Sequence, residues 1–150
     1  MKTRHFGTWA LAAGLMAATG SASALTWELV DVSLDDFTGV TGSFDYDAGT
    51  NTHANWNLSV DAGSALRAYT YQPNVDGGSA GAPSATQVNF VAFPPDPALG
   101  RYLRLAFQAP LTDAGGWIQL ALDNLEFECD NCSQTRCIVG GVVAAVPEPA

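Results

Sequence analysis

Residues 55–61 read NWNLSVD, and in this stretch Trp56, Leu58 and Val60 alternate with polar neighbours. Successive side chains of a β-strand point to opposite faces, so the alternation predicts a strand with one face in a core and one in water. Residues 101–109, RYLRLAFQA, repeat the pattern, and here Leu103 and Leu105 belong to the apolar side together with Phe107. Both stretches favour half-buried antiparallel strands.

Similar short runs recur after residue 25, separated by Gly, Asp, Asn and Pro, and together they predict about nine strands. The other predicted strands cover residues 26–34, 40–46, 69–72, 86–93, 117–122, 125–129 and 136–145. Gly and Pro interrupt every later window long enough for a helix, and no apolar period of 3.6 is sustained. We therefore expect an all-β domain.

Antiparallel strands with one apolar face must cover that face, and two sheets stacked face to face do so. The fold predicted for residues 25–145 is an antiparallel β-sandwich, with a jelly-roll-like variant left open. Residues 47–51, 61–63 and 113–116 carry residues that tolerate positive φ and are predicted turns. Residues 74–84 and 94–97 are predicted exposed connections.

The first 24 residues have the organisation of a secretory signal peptide, expected to be helical. Lys2 and Arg4 precede an apolar run over residues 6–18, which is shorter than the ~20 residues that cross a bilayer. Ala22, Ser23 and Ala24 then supply a small-x-small site, so we predict cleavage by signal peptidase between Ala24 and Leu25. A buried amphipathic helix or a retained anchor is the alternative.

Loss of this leader removes Lys2 and Arg4. The mature chain then keeps four basic residues, all arginine, and all 15 acidic residues, for a formal charge near −11. Such a surface repels phosphate backbones and anionic headgroups, so we expect no nucleic-acid partner. No stretch after residue 24 is long and apolar enough to span a bilayer, so we expect no membrane span in the mature chain.

Three cysteines, Cys129, Cys132 and Cys137, fall within nine residues of one another. In an oxidising compartment this spacing favours one local disulfide and one remaining thiol. A turn at residues 133–136 would bring Cys137 near Cys129 or Cys132 and close the last hairpin. A zinc site lacks a fourth ligand and a redox motif lacks its helix, so metal and redox roles are the less favoured alternatives.

Two segments resemble one known family. They are residues 27–60, with the Gly-Ser-Phe-x-Tyr-Asp-Ala segment at 42–48, and residues 129–150, which run into Val146, Pro147, Glu148 and Pro149. Both are similar to exosortase-sorted PEP-CTERM proteins, in which a signal peptide precedes a β-rich domain and a Pro-Glu-Pro tag follows. In that family the tag continues into an apolar helix and an arginine cluster. We interpret residues 146–150 as the start of such a tag, truncated after Ala150 or not functional.

The resemblance implies a route across the inner membrane of a Gram-negative cell and, for an intact tag, processing by an exosortase. It also implies an extracellular or surface location, often among exopolysaccharide. The partners implied are therefore signal peptidase, exosortase and polysaccharide.

Several acidic residues are candidates for chemistry. Asp45 and Asp47 share one strand face, as do Glu126 and Glu128, and paired carboxylates are used in glycoside hydrolysis. Two carboxylates that are neighbours on one strand do not lie on opposite sides of a sugar bond, so we interpret both pairs as part of a solvated strand face. Calcium binding by acids between residues 31 and 47 is a weaker alternative, because no EF-hand loop is present. We predict no catalytic residue, no metal site and no cofactor.

The aromatic residues leave one binding hypothesis open. Strand aromatics usually lie in the core or form cross-strand pairs, but exposed rings stack on sugars. The candidates are Trp27, Trp56, Trp117, Tyr69 and Tyr71. His53, expected in a loop, is the single histidine after the leader, so no Ser-His-Asp arrangement is convincing.

The sequence thus predicts an exported, non-enzymatic structural or interaction protein. The alternative is a secreted carbohydrate-binding module or carbohydrate-active enzyme.

Overall fold

A computed structural model describes residues 24–94, 100–129 and 134–147, with the backbone alone for 125–129. Strands dominate this part of the chain. They are β1 (Leu25–Leu34), β2 (Gly39–Asp47), β3 (Thr52–Val60), β4 (Tyr69–Tyr71), β5 (Ser79–Ser84), β6 (Gln87–Ala92), β7 (Gly100–Ala106), β8 (Trp117–Gln119), β9 (Leu125–Cys129) and β10 (Gln134–Ala145). One 3-10 turn lies at Val75–Gly77. The predicted all-β fold is confirmed.

The strands form two antiparallel sheets that share β10. Sheet A has the order β4-β3-β2-β1-β10, and β8 pairs with the other side of β10. Sheet B has the order β10-β9-β7-β6-β5. Residues Gln134 to Cys137 of β10 pair with β9, and its later residues pair with β1 and β8. The sandwich is therefore joined along one side by a strand that belongs to both layers.

A glycine corner lets β10 pass from one sheet to the other. Gly141 has φ 128°, and an added Cβ there would lie 2.6 Å from the Val32 Cα. Only glycine combines that backbone conformation with such close approach of β1. Strands that switch sheets commonly do so at bends of this kind.

The core lies between the two sheets and is built by the alternating positions. Trp56, Leu58 and Val60 are buried, as are Leu103 and Leu105, so both decisive stretches are oriented as expected. The Phe44 ring meets Phe90 and Phe107 across the layers, at centroid distances of 5.9 and 6.1 Å. Burial of these large rings, together with the aliphatic side chains around them, favours closing of the sandwich.

Two local expectations were wrong. Residues 79–84 form the edge strand β5 where an irregular connection was predicted. His53 lies in β3, opposite Tyr46, and is 8% exposed, where a loop residue was predicted. A bulge causes the second error: Asn55 has φ 48°, and the register shifts between Ser43 and Asp45, so the inward positions lose their simple alternation.

Candidate functional site

The acidic residues between 36 and 47 are held in separate local structures. Asp47 caps the β2–β3 turn, since its Oδ1 accepts hydrogen bonds from the backbone N–H groups of Gly49 (2.8 Å) and Thr50 (3.1 Å). These bonds lower the pKa of Asp47. Asp45 accepts hydrogen bonds from the Thr26 hydroxyl (2.6 Å) and the Asn55 amide (2.7 Å). Among the described residues, no three Asp, Glu, His or Cys side chains gather as a metal site.

The second pair of carboxylates lies on β9, where only the backbone is described. Its register places Glu126 opposite Leu103 and Arg136, and Glu128 opposite Arg101 and Gln134. Both glutamates therefore occupy register positions beside a buried arginine.

Arg136 organises one end of the sandwich although it is only 1% exposed. Its guanidinium donates hydrogen bonds to the Asp61 carbonyl (2.9 Å), the Thr38 hydroxyl (3.0 Å) and the Asp36 carboxylate (3.3 Å). The Thr38 hydroxyl also donates to Asp36, and this bond, followed by Arg136, lowers the pKa of Asp36. The β1–β2 turn and the loop after β3 are thereby tied to β10. Phe37, at the tip of that turn, is 99% exposed.

Arg101 has a comparable structural role on β7. Its guanidinium donates to the Arg67 carbonyl at 3.2 and 3.3 Å, and lies 5.1 Å from the centroid of the Tyr69 ring. Burial, followed by the hydrogen bond from the Tyr69 hydroxyl to Asp76, raises the pKa of Tyr69 to about 12. Tyr69 therefore stays protonated, and its hydroxyl ties β4 to the 3-10 turn at Val75–Gly77.

His53 is enclosed by aromatic rings. The centroid distances are 4.8 Å to Tyr46, 5.5 Å to Phe44 and 6.5 Å to Phe90. Neither ring nitrogen has a hydrogen-bond partner, and burial lowers the pKa of His53 to about 4. The imidazole is thus a neutral core group with no nucleophile beside it.

The cysteine register separates two of the three predicted partners. Cys137 lies opposite Leu125, four residues from Cys129 on β9, which places their Cα atoms roughly 14 Å apart at 3.4 Å per residue. A disulfide requires less than about 7 Å, so the suggested Cys129–Cys137 bridge is wrong in this register. Cys137 is a free, exposed thiol. Cys132, the other suggested partner of Cys137, lies outside the described residues.

Both predicted processing sites flank the same end of the sandwich. Ala24 is exposed and Leu25 begins β1, while Val146 and Pro147 are exposed after β10. The Val146 N–H donates to the Thr26 carbonyl at 2.9 Å. Glu148 and Pro149 lie outside the described residues.

A shallow depression of about 260 Å³ lies at this end, lined by Leu25, residues 113–116 and residues 145–147. Asp113 is the single ionisable side chain in this lining. The depression is bordered by the two ends of the folded domain.

The aromatic candidates separate sharply by exposure. Trp27 (0%), Tyr71 (1%) and Trp56 (7%) are core residues, and Tyr69 is half-buried. Trp117, on the short strand β8, is 72% exposed. Of the five aromatic candidates, Trp117 alone presents a largely exposed ring.

Trp117 begins a straight row across the outer face of sheet A. Directly paired residues share a face of a sheet, and the pairs follow one another from β8 to β3. The row consists of Trp117, Ala144, Glu28, Ser43 and Asn57, and we call it the Trp117 row. Four strand spacings of roughly 4.8 Å give it a length of about 19 Å.

The Trp117 row has one polar border and one aliphatic border. On the polar side Thr26 and Asn55 hold the Asp45 carboxylate. On the other side Val142 pairs with both Val30 and Gln119. At the far end of the row, the Gln72 amide donates a hydrogen bond to the Asn57 Oδ1 at 3.1 Å and fixes the Asn57 side chain. Trp117 could be recognised as a candidate from the sequence but its neighbours could not, because alternation indicates the two faces of a strand and not the strands beside it.

The chain was compared with protein-family models, curated proteins and solved structures, and none of the three comparisons found a match. Over the described residues, no helix has the length and apolar character needed to cross a membrane.

Proposed function

We propose that this chain is an exported, surface-associated structural or interaction protein of the PEP-CTERM type, without catalytic activity, in a Gram-negative bacterium. One observation carries the proposal. The first strand begins at Leu25, directly after the predicted cleavage site, and Val146, at the predicted start of the tag, hydrogen-bonds to Thr26. The predicted leader and the predicted tag would therefore both adjoin one end of the folded strands.

This arrangement suits a domain that is processed or tethered at one end and binds a partner through the face of a sheet. Removal of residues 1–24 takes away none of the described strands, since β1 starts at Leu25. The outer face of sheet A begins near this end, where Trp117 pairs with Ala144, and continues along the strands. The partner that the resemblance implies is extracellular polysaccharide.

The placement of the acids favours binding over catalysis. Asp45 and Asp47 are engaged in hydrogen bonds that fix a bulge and a turn. A glycosidase needs two carboxyl groups on opposite sides of the scissile bond. The secreted carbohydrate-binding module is the second candidate, favoured by the exposed Trp117.

Export is tested by expressing the full chain with its own leader in a Gram-negative host. We expect the purified protein to begin at Leu25, as measured by intact mass and N-terminal sequencing. An Ala24→Leu variant is the matched control, because a large residue at that position blocks signal peptidase while leaving β1 intact. A wild-type product that starts at Met1 overturns the export proposal.

Sorting is tested separately from export. The coding sequence after Ala150 is expected to encode an apolar helix followed by arginines. If it does not, the exosortase part of the proposal fails while export stands.

A further inference from the structure

We propose that the Trp117 row is a binding site for neutral, extended polysaccharide. This inference gives the proposed interaction protein its ligand class, and it rests on that function because an extracellular domain is the one that meets such polymers. Three features of this face support it: the exposed ring of Trp117, the line of paired residues and the negative charge.

Trp117 supplies the apolar platform. An indole that is 72% exposed on a strand is unusual, since burial of such a ring is strongly favourable and the other strand tryptophans, Trp27 and Trp56, are buried. Pyranose rings have an apolar face of C–H groups and a rim of hydroxyls. Tryptophan is the residue type most enriched at binding hot spots, because it offers a large rigid surface at little entropic cost.

The rest of the Trp117 row supplies hydrogen-bonding groups on one line. Ala144 lies between Trp117 and the exposed Glu28, and its side chain is small and 9% exposed. The surface between the two larger side chains is therefore low. Ser43 and the exposed Asn57 continue the line. A ligand that follows this line stacks at one end and exchanges hydrogen bonds at the other, which requires a chain of several sugar units.

The charge of the face selects among polysaccharides. Glu28 and Asp45 lie on it or at its border, and carboxylates accept hydrogen bonds from hydroxyl groups. Among the described strands of sheet A, the single Lys or Arg is Arg136, which is 1% exposed and bound to Asp36 and Asp61. The carboxylates of the face repel the negative groups of uronate or sulfated polymers, and no exposed cation of these strands pairs with those groups. The hydroxyl groups of uncharged glycans can instead donate hydrogen bonds to the same carboxylates.

The test uses the full chain, expressed with its leader and purified after export. Native gel electrophoresis through gels containing hydroxyethylcellulose, laminarin, galactomannan or alginate measures retardation for each polymer. We expect retardation by at least one of the three neutral polymers and none by alginate. Retardation by alginate alone, or by no polymer, overturns the proposal; in either case the test of export at Leu25 is unaffected.

Variants assign the binding to the row. Trp117→Ala is expected to weaken binding by about thirtyfold, as for a hot-spot tryptophan, and Glu28→Ala by about tenfold. Phe37→Ala is the matched control, because it removes an even more exposed aromatic ring at the opposite end of β1 and is expected to bind as the wild type does. Equal weakening by Phe37→Ala, or wild-type binding by Trp117→Ala, overturns the assignment.

Folding of each variant is checked by its urea midpoint, and Trp117→Phe provides a second readout. We expect this variant to keep part of the affinity and to lose the change in tryptophan fluorescence that ligand causes in the wild type. A fluorescence change that persists in Trp117→Phe places the ligand near another indole and contradicts the proposal.

Discussion

Lowering the pH from 7 to 4 is expected to weaken the fold through His53. The unfolded chain takes up a proton on this imidazole near its ordinary pKa of 6.5, whereas burial holds the folded pKa at about 4. The folded state binds fewer protons in this window, so the contribution of His53 is complete above pH 6.5 and declines as the pH falls. The full loss is about 3 kcal/mol, reached near pH 4, at 1.36 kcal/mol per unit of pKa.

The assay is urea unfolding at half-unit steps of pH, followed by fluorescence of the buried tryptophans. His53→Phe is the matched variant, since a phenyl ring fits among Phe44, Tyr46 and Phe90 and does not titrate. We expect the free energy of unfolding to fall by about 3 kcal/mol between pH 6.5 and 4 in the wild type and by much less in the variant. Asp36 and Asp47, whose pKa values lie below the ordinary 3.8, lose their contributions at lower pH. Equal pH dependence of the two proteins in this window refutes the reasoning.

Three further outcomes are expected. Asn124→Ala should cost about 2 to 4 kcal/mol in urea unfolding, since the buried amide bonds to both the N–H and the carbonyl of one β7 residue; a cost below about 0.5 kcal/mol contradicts this. Gly141→Ala should destabilise more than Gly116→Ala, because both have positive φ but only the former approaches another strand; the reverse order of urea midpoints contradicts the corner described for β10. Cys137 should react in the native protein with a thiol reagent at a stoichiometry of about one, and complete protection in the folded state contradicts its exposure.

Much of the architecture could be predicted, because apolar alternation directly reports the two faces of a strand. Trp56, Leu58, Leu103 and Leu105 are all buried as their spacing indicated. β5 was missed because residues 79–84 are small and contain Pro83, which an edge strand tolerates since one side of its backbone has no partner.

The buried arginines and the binding face could not be predicted from one sequence. Arg101 has the same parity as Leu103 and is buried with it, although arginine is rarely buried unless it is paired. Its guanidinium contacts the Arg67 carbonyl in the loop before β4 and the Tyr69 ring at the start of β4, and neither contact can be read from the alternation. Asn57 was predicted as an outward position, but its alignment with Trp117, Glu28 and Ser43 depends on strand order, which alternation does not encode.

The sharing of β10 by both sheets has a consequence for how the molecule assembles. Trp27 pairs with Ala145, so the first strand acquires this neighbour only when the last one arrives, and β9 depends on the same strand. A polypeptide delivered from its N-terminus, by a ribosome or through a membrane channel, keeps two unpaired strand edges until β10 has been delivered. Pairing of strands that are distant in sequence is slow, and intermediates with unpaired edges are prone to aggregate. Holding the nascent chain extended until β10 emerges therefore protects it from aggregation.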